Sequence, residues 1–144
     1  MLDPAVHAQL AAVLPPSALL TSAEDTRPYE CDGLTMYREL PAAVALPENE
    51  AQLVEVLKRC HTAGVPVVAR GAGTSLSGGA LPHKRGVVVA MAKFRNILSI
   101  DPVTCTAVVQ PGVRNLAISA AAAPYGLVSS ADVSSADGGS TDAS

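Results

Sequence analysis

The sequence predicts an α+β fold, in which helices flank a small mixed sheet. Residues 42–70 show the pattern of a strand, a helix and a second strand in turn. Residues 86–91 form a continuous apolar run, which is typical of a strand buried on both faces. Helical patterns before and after these strands complete the α+β prediction.

The first helix is predicted close to the N-terminus. Asp3 suits its N-cap and Pro4 its first helical position, while Pro15 and Pro16 should end it. Residues 17–41 carry turn and cap residues with little periodicity, so no long element is expected there. The apolar positions that recur at helical spacing are Val6, Leu10, Val13 and Leu14.

The second helix, over residues 49–63, is the most strongly patterned element. Gly64 is placed to end it in the left-handed conformation. Strands are expected on either side, at residues 42–46 and 66–70. One buried face is predicted for Leu53, Val56, Leu57 and Cys60.

The later elements are two strands and a helix. Residues 97–101 and 104–110 should pair across a turn, and residues 113–123 form an alanine-rich helix. Its buried face is expected to hold Leu116, Ala117 and Ala120. Residues 134–144 contain no apolar side chain larger than alanine, so they are expected to be disordered.

Composition excludes several classes of function. The net charge of −3 and an aromatic content of 3% argue against nucleic-acid binding. Three well-separated cysteines offer no metal site and favour a reducing compartment. No signal peptide is evident, and the longest strongly apolar run is too short to span a membrane. We therefore expect a cytoplasmic protein.

A glycine-rich loop dominates residues 66–80, which read PVVARGAGTSLSGGA. Its glycines can adopt positive φ, and consecutive backbone N–H groups in such a turn can converge on an anion. The loop holds no nucleophile beside a base, so it is predicted to bind a phosphate, with no catalytic residue. The hydroxyl donors it adds are Thr74, Ser75 and Ser77.

Two common nucleotide motifs fail on spacing. A dinucleotide fingerprint starting at Gly71 would need glycine where Leu76 stands. A Walker A loop starting at Gly73 would need lysine where Gly79 stands. From the residues alone, a phosphate site and a purely structural turn both stay open.

Five ordered segments give the sequence a family resemblance. They are LPENEAQLVEVL at 46–57, PVVARGAGTSLSGGALP at 66–82, GVVVAMAKFRNILSID at 86–101, VVQPGVRNLAI at 108–118 and APYGL at 123–127. The chain resembles the N-terminal part of the PCMH-type FAD-binding domain of the vanillyl-alcohol oxidase and p-cresol methylhydroxylase family. Within it, the likeness is greatest to the flavin-linked subunit of bacterial glycolate oxidases. The resemblance implies the first lobe of that domain.

The resemblance also implies an FAD site. Arg70 would either soften the pyrophosphate charge or form a structural ion pair. Pro111 and Gly112 match a turn near the cofactor, although a plain strand terminus is an equal alternative. Some relatives attach flavin through a histidine where Thr74 stands, so the FAD is expected to be non-covalent. The implied cofactor-binding residues in the loop are Arg70, Gly71, Ala72, Gly73, Thr74, Ser75, Gly78 and Gly79.

The chain departs from the family after residue 130. Residues 131–135 match a PDPSS-like stretch with both prolines replaced, and neither a Gly-Gly-Asn segment nor a substrate domain follows. We expect an N-terminal helical extension at 1–37, a partial FAD-binding domain at 38–135 and a non-family tail at 136–144.

Two functions are expected from this pattern. The first is the FAD-binding part of a glycolate or D-lactate oxidoreductase, truncated and unable to turn over alone. The alternative is an accessory protein that binds another oxidase subunit without flavin. In either case, contact with a membrane would be through partner subunits.

Overall fold

The computed structural model describes residues 2–33, 36–73 and 78–129. The chain divides into two compact units, Met1–Phe94 and Arg95–Ser144. The predicted disordered tail and the stretch at 131–135 lie outside the described residues.

The first unit is built on a four-stranded mixed sheet. Its strands are β1 (Leu19–Leu20), β2 (Ala43–Ala45), β3 (Val67–Arg70) and β4 (Val87–Ala90). The spatial order is β1-β2-β4-β3, with β4 parallel to both of its neighbours and β1 antiparallel to β2. The last strand in sequence is therefore central, which explains why its valines are fully buried.

Polar side chains fix the starts of the two longer helices in this unit. Helix α1 (Pro4–Ala11) is capped by the Asp3 carboxylate, which accepts a hydrogen bond from the Ala5 N–H at 2.8 Å. Helix α3 (Glu50–Thr62) begins at Asn49, whose side chain accepts from the Gln52 N–H at 3.0 Å. Gly64 ends α3 at φ +64°, as predicted. A short helix, α2 (Ala23–Thr26), lies between β1 and β2 in the chain.

The core lies on both faces of the sheet. On one face, Val87 and Val89 pack with Val56 and Cys60 of α3 and with residues of α1. On the other face, Val44, Val88 and Ala90 form a smaller cluster. Leu57 was predicted to face this core and is 42% exposed, so that prediction was wrong. The buried stripe of α3 is narrower than the apolar pattern suggested, and Leu57 falls at its edge.

The N-terminal residues contribute to this same unit. β1 pairs with β2, with Leu19 opposite Ala45, and Leu10 of α1 is fully buried in the core. Residues before position 38 thus supply one strand and one packed helix. The domain boundaries at 37 and 135 stay a prediction.

The second unit contains a hairpin and a helix. Strands β5 (Ile97–Asp101) and β6 (Thr106–Val109) pair antiparallel, and α4 spans Asn115–Ala122. The predicted face of α4 was wrong, because Leu116 is 74% exposed whereas Ala122 is buried. In a helix that is almost entirely apolar, periodicity cannot distinguish one face from another.

Asp101 organises the hairpin turn. Its carboxylate accepts hydrogen bonds from the Thr104 hydroxyl at 2.8 Å and from the N–H groups of Val103 and Thr104 at 2.9 and 3.3 Å. These bonds, that of the Thr104 hydroxyl first, hold the pKa of Asp101 below its ordinary value. Because the pKa of Asp101 is lower in the folded state, its ionised carboxylate stabilises the turn at pH values above the ordinary pKa of aspartate. This contribution is lost as the pH falls through the folded value.

We expect Thr104→Val to raise the pKa of Asp101 toward its ordinary value, because the substitution removes the strongest stabilising hydrogen bond. An NMR titration of the carboxyl carbon measures this directly. Thr106→Val is the matched control, since the Thr106 hydroxyl contacts Thr104 at 2.9 Å and not the carboxylate. An unchanged midpoint in Thr104→Val would contradict the assignment.

Candidate cofactor site

The glycine loop leaves the sheet at the carboxyl end of β3. Because β3 and β4 are parallel, their carboxyl ends, Arg70 and Ala90, lie at the same edge. The Met91 N–H donates to the Arg70 carbonyl at 2.8 Å and extends the pairing by one bond. Open sheets with parallel strands bind ligands outside the carboxyl ends of those strands. The predicted phosphate loop is therefore at the edge where a ligand is expected.

Two glycines shape the described backbone just before and just after residues 74–77. Gly73 has φ +74° and Gly78 has φ +73°, conformations that L-residues rarely adopt. The Leu81 N–H donates to the Gly78 carbonyl at 3.1 Å and closes a turn on the far side. Thr74 and Ser75, both predicted to contact FAD, lie outside the described residues, as do Leu76 and Ser77.

The first loop residues, 71–73, offer backbone N–H donors. Within the described ranges, the N–H groups of Gly71, Ala72 and Gly73 donate to no backbone carbonyl. On the far side, a Cβ added to Gly79 would meet nothing within 4 Å. Consecutive backbone N–H groups that donate to no backbone carbonyl among the described residues fit an anionic ligand such as a pyrophosphate.

The half-buried Arg70 side chain has two partners among the described residues. Its Nη1 donates to the Cys31 carbonyl at 2.6 Å, and its Cζ lies 5.5 Å from the centroid of the Tyr29 ring. These partners are a carbonyl and an aromatic ring, not the carboxylate of the ion pair considered from sequence. The sequence analysis did not find Tyr29 and Cys31, because no motif links either of them to Arg70, which follows Cys31 by 39 positions.

Pro111 and Gly112 form a turn in the second unit. The Val113 N–H donates to the Gln110 carbonyl at 3.1 Å, so the two residues occupy the turn centre. Gly112 is buried and Pro111 is exposed. Their contact with a cofactor stays a prediction.

The described residues contain no group of three or more histidine, cysteine or acidic side chains suited to hold a metal ion. Burial raises the pKa of the Cys60 thiol, which keeps it protonated and inert. No helix in the part of the chain that the structure describes is long and apolar enough to cross a membrane.

A mixed sheet flanked by helices, with a glycine loop at the carboxyl edge of its parallel strands, is an arrangement typical of nucleotide-binding domains. Residues 41–141 match the family described as FAD binding domain. The chain belongs to this family, and its cofactor is FAD.

Known proteins agree with this assignment. Glycolate oxidase subunit GlcD of Escherichia coli strain K12 is 53% identical over 85% of this chain and 24% of its own. D-2-hydroxyglutarate dehydrogenase of Stutzerimonas stutzeri is 29% identical over 94% of this chain and 29% of its own. The structure of p-cresol methylhydroxylase with substrate bound superposes with a TM-score of 0.73 at 24% identity, covering 85% of this chain and 25% of that one. The fold is thus that of PCMH-type oxidases, and the chain spans about a quarter of each protein's length.

Proposed function

We propose that the glycine loop binds the pyrophosphate of FAD through its backbone N–H groups. The observation that carries this proposal is the run of N–H groups at Gly71–Gly73, which donate to no backbone carbonyl among the described residues. At Gly79, an added Cβ would meet nothing within 4 Å. Hydroxyls of Thr74 and Ser75 would add donors, and binding also depends on Arg70 at the base of the loop. The remaining proposed loop contacts are Ala72 and Gly78, with Pro111 and Gly112 in the second unit.

We infer that the parent reaction is the oxidation of a small 2-hydroxy acid, glycolate or D-lactate. This rests on the 53% identity to a glycolate oxidase subunit. When bound, FAD would supply the redox chemistry, accepting two electrons from the hydroxy acid. The residues of this chain would orient the cofactor and donate hydrogen bonds to its phosphates. Since the chain spans only a quarter of that relative, residues 1–144 alone would hold FAD without turnover.

A flavin titration tests the proposal. We expect the purified chain to bind one FAD, and acid precipitation to release it, because Thr74 cannot form a histidine-type covalent link. Glycolate or D-lactate added under anaerobic conditions should leave the flavin absorbance unbleached. Failure to bind FAD would overturn the site, and bleaching would overturn the inference that this chain alone lacks turnover.

A second candidate is a partner-binding role without flavin, in which another oxidase subunit covers this chain. It is favoured by exposed apolar side chains in the second unit, where Leu98 is 61% and Val128 is 65% exposed. A stable complex with an oxidase subunit and no bound FAD would support it.

The free thiols at Cys31, Cys60 and Cys105 suit the cytoplasm, where we propose that the protein acts in either role.

A further inference from the structure

We propose that Arg70 is a positioning residue that latches the first residues of the glycine loop, 71–73, to residues 29–31, so that this part of the loop is set before FAD arrives. The proposal rests on the FAD site and deepens it, because it assigns to Arg70 a role other than contact with phosphate. The latch consists of the Arg70 guanidinium, the Tyr29 ring, the Cys31 carbonyl and the Cα of Gly73.

The Arg70 guanidinium makes two interactions, a hydrogen bond and a cation–π contact. The hydrogen bond to the Cys31 carbonyl is short, at 2.6 Å, as expected when a charged donor meets a neutral acceptor. The ring of Tyr29 lies within the 6 Å range of cation–π attraction. Both partners belong to a segment that precedes β2, so Arg70 connects this N-terminal segment to the end of β3.

Gly73 lies against the same guanidinium. A Cβ built on Gly73 would be 2.5 Å from Arg70 Nη2 and 2.7 Å from Cζ. A free arginine tip could move aside at little cost. Here any movement would break the bond to Cys31 and leave the Tyr29 ring, so the absence of a side chain at position 73 serves the latch.

The Arg70 side chain therefore fixes the backbone of the first loop residues, 71–73. Gly73 carries positive φ, and the guanidinium lies in the space that a side chain at position 73 would occupy. A preset loop loses less entropy on binding than a mobile one. Removing the latch should weaken FAD binding although no phosphate contact is lost.

The first test needs no flavin. We expect Gly73→Ala to lower the melting temperature of the protein by about 10 °C, from backbone strain and the clash together. In an Arg70→Ala background the clash is gone, so the same substitution should cost about half as much. Equal losses in the two backgrounds would overturn the latch.

The second test measures FAD affinity at a temperature where every variant is folded. Tyr29→Leu should weaken binding about threefold, the equivalent of one cation–π contact. Arg70→Ala should weaken it about tenfold, and the double variant no further than Arg70→Ala alone. Arg70→Lys should not restore affinity, because lysine lacks the planar fork. Arg38→Ala, which removes an exposed arginine paired with Glu30 of the same segment, is the control and should bind normally.

The salt dependence of FAD affinity distinguishes a positioning role of Arg70 from direct contact with the phosphates. If Arg70 acts through the loop, the dependence of FAD affinity on ionic strength is the same in Arg70→Ala as in the parent. A flatter salt dependence in Arg70→Ala, or full affinity in Tyr29→Leu, would overturn the proposal. If the parent chain binds no FAD, the proposed function fails, while the melting-temperature comparison still decides the latch.

Discussion

Replacing Val88 with aspartate will leave the first unit unfolded. Val88 is fully buried at the centre of β4, with Val44 of β2 on one side and Val68 of β3 on the other. A carboxylate there has no partner, and burying an unpaired polar or charged group costs several kcal/mol. That is comparable with the whole stability of a small domain, about 5–15 kcal/mol.

Circular dichroism and the yield of soluble protein measure this outcome. We expect Val88→Asp to lose the cooperative thermal transition of the parent. Val103→Asp makes the same chemical change at a side chain that is 90% exposed, and it should melt like the parent. A native-like transition in Val88→Asp would mean that β4 is not at the centre of the core.

Replacing Gly78 with alanine will weaken FAD binding by about tenfold. Gly78 has φ +73°, and an L-residue in that conformation costs about 1–2 kcal/mol, which corresponds to a five- to thirtyfold change in an equilibrium constant. The cost applies to the loop conformation that we propose binds the pyrophosphate. Isothermal titration calorimetry with FAD measures the change.

Gly64→Ala is the matched control for this prediction. Gly64 has nearly the same backbone conformation, φ +64°, and an added Cβ would meet nothing within 4 Å. It ends α3, away from the loop in sequence, so its substitution should destabilise the fold by a similar amount and leave FAD affinity unchanged. Equal losses of affinity in the two variants would show that general destabilisation, not the loop, explains the effect.

The strand, helix and strand over residues 42–70 could be predicted because each element carries a clear period and a clear end. Asn49 and Gly64 mark the bounds of α3 in sequence as they do in the structure. β1 could not be predicted, because two leucines give no periodic signal and their strand exists only by pairing with β2.

The candidate site, too, could be predicted from the sequence only in part. Its glycines are visible in the sequence, because positive φ and close approach demand that residue type. The partners of Arg70 are not, since a backbone carbonyl is available at every position and one tyrosine carries no pattern. Contacts that depend on tertiary structure, and not on spacing along the chain, had to come from the fold.

The strand order also has a consequence for how the protein is made. β2 and β3 are synthesised before β4, yet each finds its parallel partner only in β4. When β3 has left the ribosome, β4, the strand that lies between β2 and β3, has not yet been made. The glycine loop is part of the connection from β3 to β4. Such a long-range pairing closes late and leaves strand edges exposed until then. The sheet edge at which we propose that FAD binds is therefore complete only after β4 has paired, and a chain interrupted before residue 87 would lack it.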